Sequence, residues 1–195
     1  LATGYARYTD YETAQIGVRY SDICGTWERK TFTSKADGVT ITKIGSSTSG
    51  SKVDITLSMD NISAYAKYGQ ADEVNLKYKK LVGEDCDYIS FVAHYPNYEN
   101  SELKEGGYST TVYVVTEGGS KSVVDGKRVK DAQYCADENP QIKIKNADNV
   151  YLIAVSGRTH TMGAYDDFAA AEGYELVNIY VEQDALRVAA KEEVL

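Results

Sequence analysis

Apolar and polar residues alternate with a period of two along most of the chain, from near its start to about residue 160. This alternation is typical of β-strands, because successive side chains of a strand point to opposite faces of the sheet. The clearest run is Val53, Ile55, Leu57 and Met59, with a polar residue between each pair. The pattern therefore predicts a chain built mainly from half-buried strands.

Other segments carry the same signature. Strands are expected at 14–20, 26–34, 39–44, 74–78 and 89–93, and the first of these places Ala14, Ile16, Val18 and Tyr20 on one face. Two further segments, 110–116 and 150–155, are apolar on both faces. Strands that are apolar on both faces lie in the middle of a sheet that is covered on both sides. These two segments are therefore predicted to be central strands.

Turn residues separate the runs. The segment 45–50 (GSSTSG) predicts a flexible hairpin loop, and 117–119 (EGG) and 125–126 (DG) predict tight turns, because glycine takes positive φ without strain. The segment 146–149 predicts a turn into the last strand. Short strands with frequent turns and no helical stretch between them favour antiparallel sheets stacked as a β-sandwich.

The pattern changes after residue 161, where Ala, Glu and Leu become frequent and proline is absent. Val177 and Val188 belong to a spacing that suits a helix, and Gly173 is expected to break it into two segments. We therefore expect a β-sandwich domain over 1–161, followed by a short C-terminal helical tail over 162–195 that is too poor in apolar residues to fold as a domain of its own.

Composition narrows the classes of partner and cofactor. The chain has 195 residues and a formal net charge of −8, so it has no overall basic surface for nucleic acid. No apolar stretch approaches the roughly 18 residues that a membrane-spanning helix needs. The three cysteines are far apart without CxxC spacing, which argues against a zinc site, and their odd number argues against a disulfide framework. No metal or other cofactor is expected.

Catalytic motifs are also missing from the sequence. It contains no nucleophile elbow, zinc-protease motif, phosphate loop or dinucleotide fingerprint, and its only histidines are His94 and His160. Acidic residues occur as neighbours at 84–85, 166–167 and 192–193. A glycosidase needs two carboxyl groups that face each other across a sugar, and neighbouring acids do not supply that arrangement. No catalytic residue is assigned.

One segment is a candidate for ligand binding. Tyr95 and Tyr98 fall in a polar stretch after a predicted strand, together with Asn97 and Asn100. A tyrosine ring can stack on the C–H face of a sugar while its hydroxyl forms a hydrogen bond. We therefore expect Tyr95, Asn97 and Tyr98 to be the substrate-binding residues. The alternative is that tyrosine, of which the chain has 17, is simply a good strand residue.

An ordered series of residues is similar to a known family pattern. It consists of segment 5–14, then Val18, Tyr20, Gly25, Trp27, Arg29, Phe32, Ser34, Asp37 and Val39, then 117–119, 146–150 and Thr159, and in the tail Gly173, Tyr174, Val177, Asp184 and Val188. The series resembles the N-terminal domain of glycoside hydrolase family 95. It departs from that pattern at Thr9, Tyr11, Trp27, Lys30, Ala36 and Val181, and segment 62–107 matches nothing in it.

The resemblance implies a super-sandwich β-domain, joined by linker helices to an (α/α)6 catalytic barrel within the same polypeptide. The family is largely inverting α-L-fucosidases, with some α-L-galactosidase activity, and its catalytic residues lie in the barrel. The barrel is not part of this sequence, and the family's first strands would precede Leu1, so the chain is expected to begin inside a domain. The resemblance therefore implies a non-catalytic segment that is inactive alone, in a carbohydrate-active bacterial enzyme that is extracellular or on the cell surface.

Two other interpretations remain open. The chain is alternatively a stand-alone module that binds carbohydrate through the segment containing Tyr95 and Tyr98. It is otherwise a purely structural module of a secreted or cell-surface protein.

Overall fold

The computed structural model describes residues 1–59, 77–83, 85–94, 107–125 and 140–159. All regular structure within these ranges is β-strand. The strands are β1 (Thr3–Asp10), β2 (Gln15–Asp22), β3 (Gly25–Ser34), β4 (Val39–Ser46), β5 (Val53–Leu57), β6 (Lys77–Val82), β7 (Tyr88–His94), β8 (Gly107–Glu117), β9 (Ser120–Asp125), β10 (Pro140–Ala147) and β11 (Asn149–Thr159).

The strands form two antiparallel sheets. The large sheet has eight strands in the order β1-β2-β3-β4-β11-β8-β7-β6, and the small sheet has three in the order β5-β10-β9. Every strand pair in both sheets is antiparallel. The prediction of a mainly β chain with antiparallel sheets is confirmed.

The small sheet continues three neighbouring strands of the large one. β4 leads into β5, β8 into β9, and β10 into β11, so the middle of the large sheet (β4-β11-β8) folds over into the small sheet (β5-β10-β9) with the strand order preserved. The three crossings lie side by side, because Asn149 at the start of β11 pairs with Gly45 of β4 and with Glu117 of β8. We call this bend the corner.

Backbone conformation explains why the corner is sharp. Gly118 and Gly119 take φ of 66° and 73°, and Asn146 takes φ of 59°, in a region that ordinary side chains disfavour. A Cβ at Gly119 would lie 2.7 Å from the nitrogen of Ala147, so only glycine lets the two crossings approach this closely. The predicted turns at 117–119 and 146–149 are confirmed, and both join strands of different sheets.

The prediction of a hairpin loop at 45–50 is wrong, because β4 and β5 do not pair with each other. The segment instead crosses between the sheets and is tied back to the turn between β2 and β3. The Ser46 hydroxyl donates to the Thr26 carbonyl at 2.8 Å, the Thr26 N–H donates to Thr48 Oγ1 at 2.9 Å, and the Ser51 hydroxyl donates to the Cys24 carbonyl at 2.5 Å. These bonds tie the serine-rich connection, which bends at 47–50, to the β2–β3 turn as it crosses between the sheets.

The main core lies between the two sheets. Its fully buried members come from both: Val53, Cys86, Ile89, Val114, Ile142, Ile144, Ala147 and Val150. Ile55 and Leu57 of β5 and Met59 just beyond it pack against this cluster, as the alternation in that segment predicts. Burying an aliphatic side chain of this size contributes about 1.5–3 kcal/mol, so the cluster is a large share of what holds the small sheet on the large one.

The opposite side of the large sheet, which we call the outer face, is also apolar at its centre. Val39 and Ile41 of β4 pack there against Ile153 and Val155 of β11, with Phe32 at the edge of the cluster. Residues of β11 are therefore buried on both faces of the sheet. The prediction that segments 110–116 and 150–155 are central strands is confirmed, since β11 and β8 are neighbouring interior strands of the large sheet.

β1 and β2 form a ribbon that extends the large sheet beyond the core. β1 is exposed along nearly its whole length, and it is the edge strand of the sheet. Ile16 of β2 is 58% exposed although the sequence pattern places it on an apolar face. Ala14 lies in the turn before β2 with φ of 54°, so its predicted place within the strand is wrong.

The predicted helical tail at 162–195 lies outside the described residues, as do Cys135, His160 and the turn glycine at 126.

Candidate functional site

The predicted binding residues Tyr95, Asn97 and Tyr98 lie outside the described residues. The strands on either side of them are described. β7 ends at His94 and β8 begins at Gly107, and these two residues pair directly. Since β8 runs from Gly107 to the corner at Glu117, the His94–Gly107 pair lies at the end of β8 away from the corner.

A row of polar and aromatic residues crosses the outer face close to the corner. Strand register places Tyr8 opposite Gly17, Gly17 opposite Lys30, Lys30 opposite Lys43, and Lys43 opposite Tyr151. Directly opposed residues of antiparallel strands share one face, so these side chains lie on one continuous surface over five strands. The row is open to solvent at β1–β3 and buried at β11, where Tyr151 is 0% exposed.

At the open end, Tyr8 is held against the sheet. A Cβ at Gly17 would overlap the tip of the Tyr8 ring, so the ring occupies the space that a side chain on β2 would fill. The Tyr8 hydroxyl reaches across β2 and donates to Glu28 Oε1 at 3.0 Å, and the other oxygen of Glu28 lies 3.3 Å from Lys30 Nζ. Desolvation, followed by the bond to the Glu28 carboxylate, raises the pKa of Tyr8, so the hydroxyl stays protonated and donates.

At the buried end, Tyr151 and Glu117 form a network beside the corner. The Tyr151 hydroxyl donates to Glu117 Oε1 at 2.9 Å, and the Asn149 amide donates to Glu117 Oε2 at 2.6 Å. Lys43 Nζ lies 5.6 Å from the centre of the Tyr151 ring, within range of a cation–π contact. Burial, and then the bond to Glu117, raise the pKa of Tyr151 to about 12. The network fixes the first turn of the corner to β11.

Three described carboxyl groups have a lowered pKa, and each cause is a local hydrogen bond. The Thr13 hydroxyl lowers the pKa of Asp10, the Trp27 indole N–H that of Asp22, and the Lys145 ammonium that of Asp54. A glycosidase general acid needs a pKa that is raised instead. These three carboxylates remain ionised and act as caps of turns and strand ends.

No metal site is found within the described ranges, where no three His, Cys, Asp or Glu residues come together. Cys24 is exposed and Cys86 is buried in the main core, and both are free thiols. No helix with the length and apolar character to cross a membrane occurs in this part of the chain.

The sequence did not reveal the arrangement around Tyr8. Alternation along β1 puts Ala6, Tyr8 and Asp10 on one face, but nothing local indicates that the residue opposite Tyr8 is a glycine. The pairing of Tyr8 with Gly17 becomes visible only when β1 and β2 are aligned in register. The other tyrosines assigned to strands from the sequence, such as Tyr20, Tyr113 and Tyr151, do lie in strands.

Comparison with protein-family models and with curated proteins finds no match to this chain.

Proposed function

We propose that this chain is a non-catalytic segment of a carbohydrate-active enzyme, similar to the N-terminal β-domain of inverting α-L-fucosidases, and that it supports a catalytic barrel elsewhere in the same polypeptide. The observation that supports the proposal is that the residues matching the family pattern have structural roles in this chain. Those within the described ranges shape turns, the corner and the core, which is what a supporting domain requires.

The turn between β3 and β4 is the first example. The Ser34 hydroxyl bonds the Asp37 carboxylate, the Asp37 N–H returns a bond to Ser34 Oγ at 3.2 Å, and the Gly38 N–H donates to the Ser34 carbonyl at 3.0 Å. Phe32 and Val39, on either side of this turn, pack into the outer-face cluster. The spacing of these residues therefore specifies a capped turn between two apolar anchors.

Trp27 is the second example. Its indole N–H donates to Asp22 Oδ1 at 2.9 Å, and the N–H groups of Cys24 and Gly25 donate to the same oxygen at 2.8 and 3.1 Å. The Trp27 ring also packs against the main core. This position therefore ties the β2–β3 turn to the space between the sheets.

The corner is the third example. The N–H of Asp148 donates to the Glu117 carbonyl at 2.8 Å, and its carboxylate forms an ion pair with Lys52. The ion pair joins the crossing from β4 to the crossing into β11, while Gly119 lets the third crossing pass beside them. The two segments 117–119 and 146–150 that resemble the family thus meet in one structural feature.

The proposal includes the finer architecture. The two sheets form a β-sandwich domain over 1–161, a helical tail over 162–195 links it to the barrel, and the enzyme acts on glycans outside a bacterial cell or on its surface. The main core shared by the sheets supports the sandwich, because apolar residues of both inner faces interdigitate there.

The reading frame that encodes the chain tests this proposal. We expect it to continue past Leu195 into a long series of apolar helical hairpins, the pattern of an (α/α)6 barrel. A stop codon directly after Leu195 would contradict the proposal, because a support domain without its catalytic barrel has no role.

A stand-alone module that binds carbohydrate is the second candidate. It is favoured by the exposed tyrosines of β1: Tyr5 is 62% exposed and Tyr8 is 37% exposed. Single exposed apolar residues are ordinary, but aromatic side chains concentrated on one edge of a sheet are typical of binding surfaces. Glycan binding by a chain whose reading frame ends at Leu195 would favour this candidate over the first.

A further inference from the structure

The ribbon carries an aromatic ring that is both exposed and immobilised. Tyr8 is 37% exposed, yet its hydroxyl is fixed by Glu28 at 3.0 Å and its ring rests over Gly17. An exposed tyrosine ordinarily samples several rotamers, and a ligand must then restrict it at a cost in free energy. The Tyr8 ring is already held in one place, so that cost is largely absent.

Charged groups of both signs surround this ring. Arg19 of β2 lies opposite Glu28 of β3. It is two residues along β2 from Gly17, the residue opposite Tyr8, so it lies on the same face as Tyr8. Arg19 is exposed, and its guanidinium forms no hydrogen bond or ion pair with the rest of the described chain. Ala6, a small residue, lies opposite Arg19 on β1. The surface thus offers a flat apolar centre with a guanidinium, a carboxylate and an ammonium at its rim.

These features select one class of ligand. The core of a protein interface is depleted in charged residues, whereas charges stand directly beside Tyr8. Nucleic acid is disfavoured by a formal net charge of −8. A pyranose has an apolar C–H face that suits a tyrosine ring and a rim of hydroxyls, each of which both donates and accepts hydrogen bonds.

We propose that Tyr8, Arg19, Glu28 and Lys30 form a saccharide-binding platform on the outer face of β1–β3, in which a pyranose ring stacks on Tyr8 and its hydroxyls bond the charged rim. The platform is separate from the 95–98 segment predicted from the sequence. It rests on the geometry of β1–β3, and it does not depend on whether a catalytic barrel follows the chain.

Native affinity electrophoresis tests the platform. The complete 195-residue chain is run in gels that contain xyloglucan, galactan, polygalacturonate or gastric mucin as probes. We expect at least one polysaccharide to retard the chain, and we expect Tyr8→Ala to weaken that interaction by about tenfold, equivalent to about 1.4 kcal/mol. Tyr8→Phe, which keeps the ring but frees it from Glu28, should give an intermediate loss.

Tyr11→Ala is the matched control, because Tyr11 is more exposed than Tyr8 and makes no hydrogen bond among the described residues. It should bind as the unaltered chain does, and circular dichroism should show the same fold for all variants. The proposal is overturned if no probe retards the chain, or if Tyr8→Ala is retarded like the unaltered chain. Self-association that is lost in Tyr8→Ala, without glycan binding, would instead identify an interface between copies and would also overturn it.

Discussion

The hydrogen bond between buried Tyr151 and half-buried Glu117 provides a quantitative test of the corner. Tyr151→Phe removes one hydroxyl from a side chain that is 0% exposed and leaves its ring in place. The lost bond spans 2.9 Å and is accepted by a carboxylate. Hydrogen bonds to charged groups contribute about 1.5–3 kcal/mol, so we expect the free energy of unfolding at pH 7 to fall by about 2 kcal/mol.

The same pair predicts an alkaline effect. Tyrosine in the unfolded chain has a pKa near 10, and the folded state raises the pKa of Tyr151 to about 12. A raised folded-state pKa means that the stabilisation is complete below pH 10 and is lost as the pH rises through 12. Two pKa units correspond to about 3 kcal/mol, so the difference between the unaltered chain and Tyr151→Phe should shrink towards zero over this interval.

Urea unfolding at 25 °C measures both quantities, at pH 7 and at steps from pH 9 to 12. Tyr20→Phe is the matched control, because Tyr20 is a half-buried strand tyrosine whose hydroxyl has no partner among the described residues. The control should change the free energy of unfolding by less than about 0.5 kcal/mol. The reasoning fails if Tyr151→Phe is as stable as the control, or if its deficit is the same at pH 9 and pH 12.

Three further predictions concern the small sheet. Gly119→Ala should lower the free energy of unfolding, measured by urea titration, by at least about 1 kcal/mol, because φ is positive there and a Cβ would meet Ala147. Gly50→Ala is the control: this glycine also has a positive φ but open space around it, so its substitution should lower the free energy of unfolding by less. Ile144→Ala should cost about 2–5 kcal/mol in the same assay, since this side chain is 0% exposed between the sheets, and equal stability would contradict the shared core. Asp54→Asn should make the free energy of unfolding depend less steeply on pH below pH 4. The lowered pKa of Asp54 in the folded state stabilises the fold above the unfolded-state pKa, and that stabilisation is lost as the pH falls. An unchanged slope of the free energy of unfolding against pH would refute this prediction.

Much of the strand content follows from the sequence because it is encoded locally. The alternation of Val53, Ile55 and Leu57 is a property of one strand, and the side chains that it marks do face the main core. The central position of β8 and β11 is also local information, since apolar residues on both faces indicate cover on both sides. Strand pairing is different, because it depends on residues far apart in the chain.

The segment 45–50 illustrates this limit. Glycine and serine indicate that the chain turns, but they do not indicate whether the next strand returns beside β4 or crosses to another sheet. The crossing is decided by β10, which pairs with β5 from 85–94 residues farther along the chain, and by the hydrogen bonds from Ser46 and Ser51 to the β2–β3 turn. Neither the β5–β10 pairing nor these hydrogen bonds can be predicted from the residue pattern of 45–50 alone.

The candidate site was harder to predict for a related reason. Tyr8 and Gly17 become neighbours only through the register of β1 and β2, and Glu28 lies one strand farther away. The sequence drew attention to Tyr95 and Tyr98 because polar residues surround them. In the ribbon, the alternation over 14–20 predicts an apolar face, whereas Ile16 on that face is 58% exposed.

Hydrolysis of an aryl α-L-fucoside tests the central claim most directly. The assay compares the purified 195-residue chain with the complete product of its reading frame under the same conditions. We expect turnover by the complete product and none by the chain alone, because the proposal places the catalytic residues in the barrel. Clear turnover by the 195-residue chain would contradict the account.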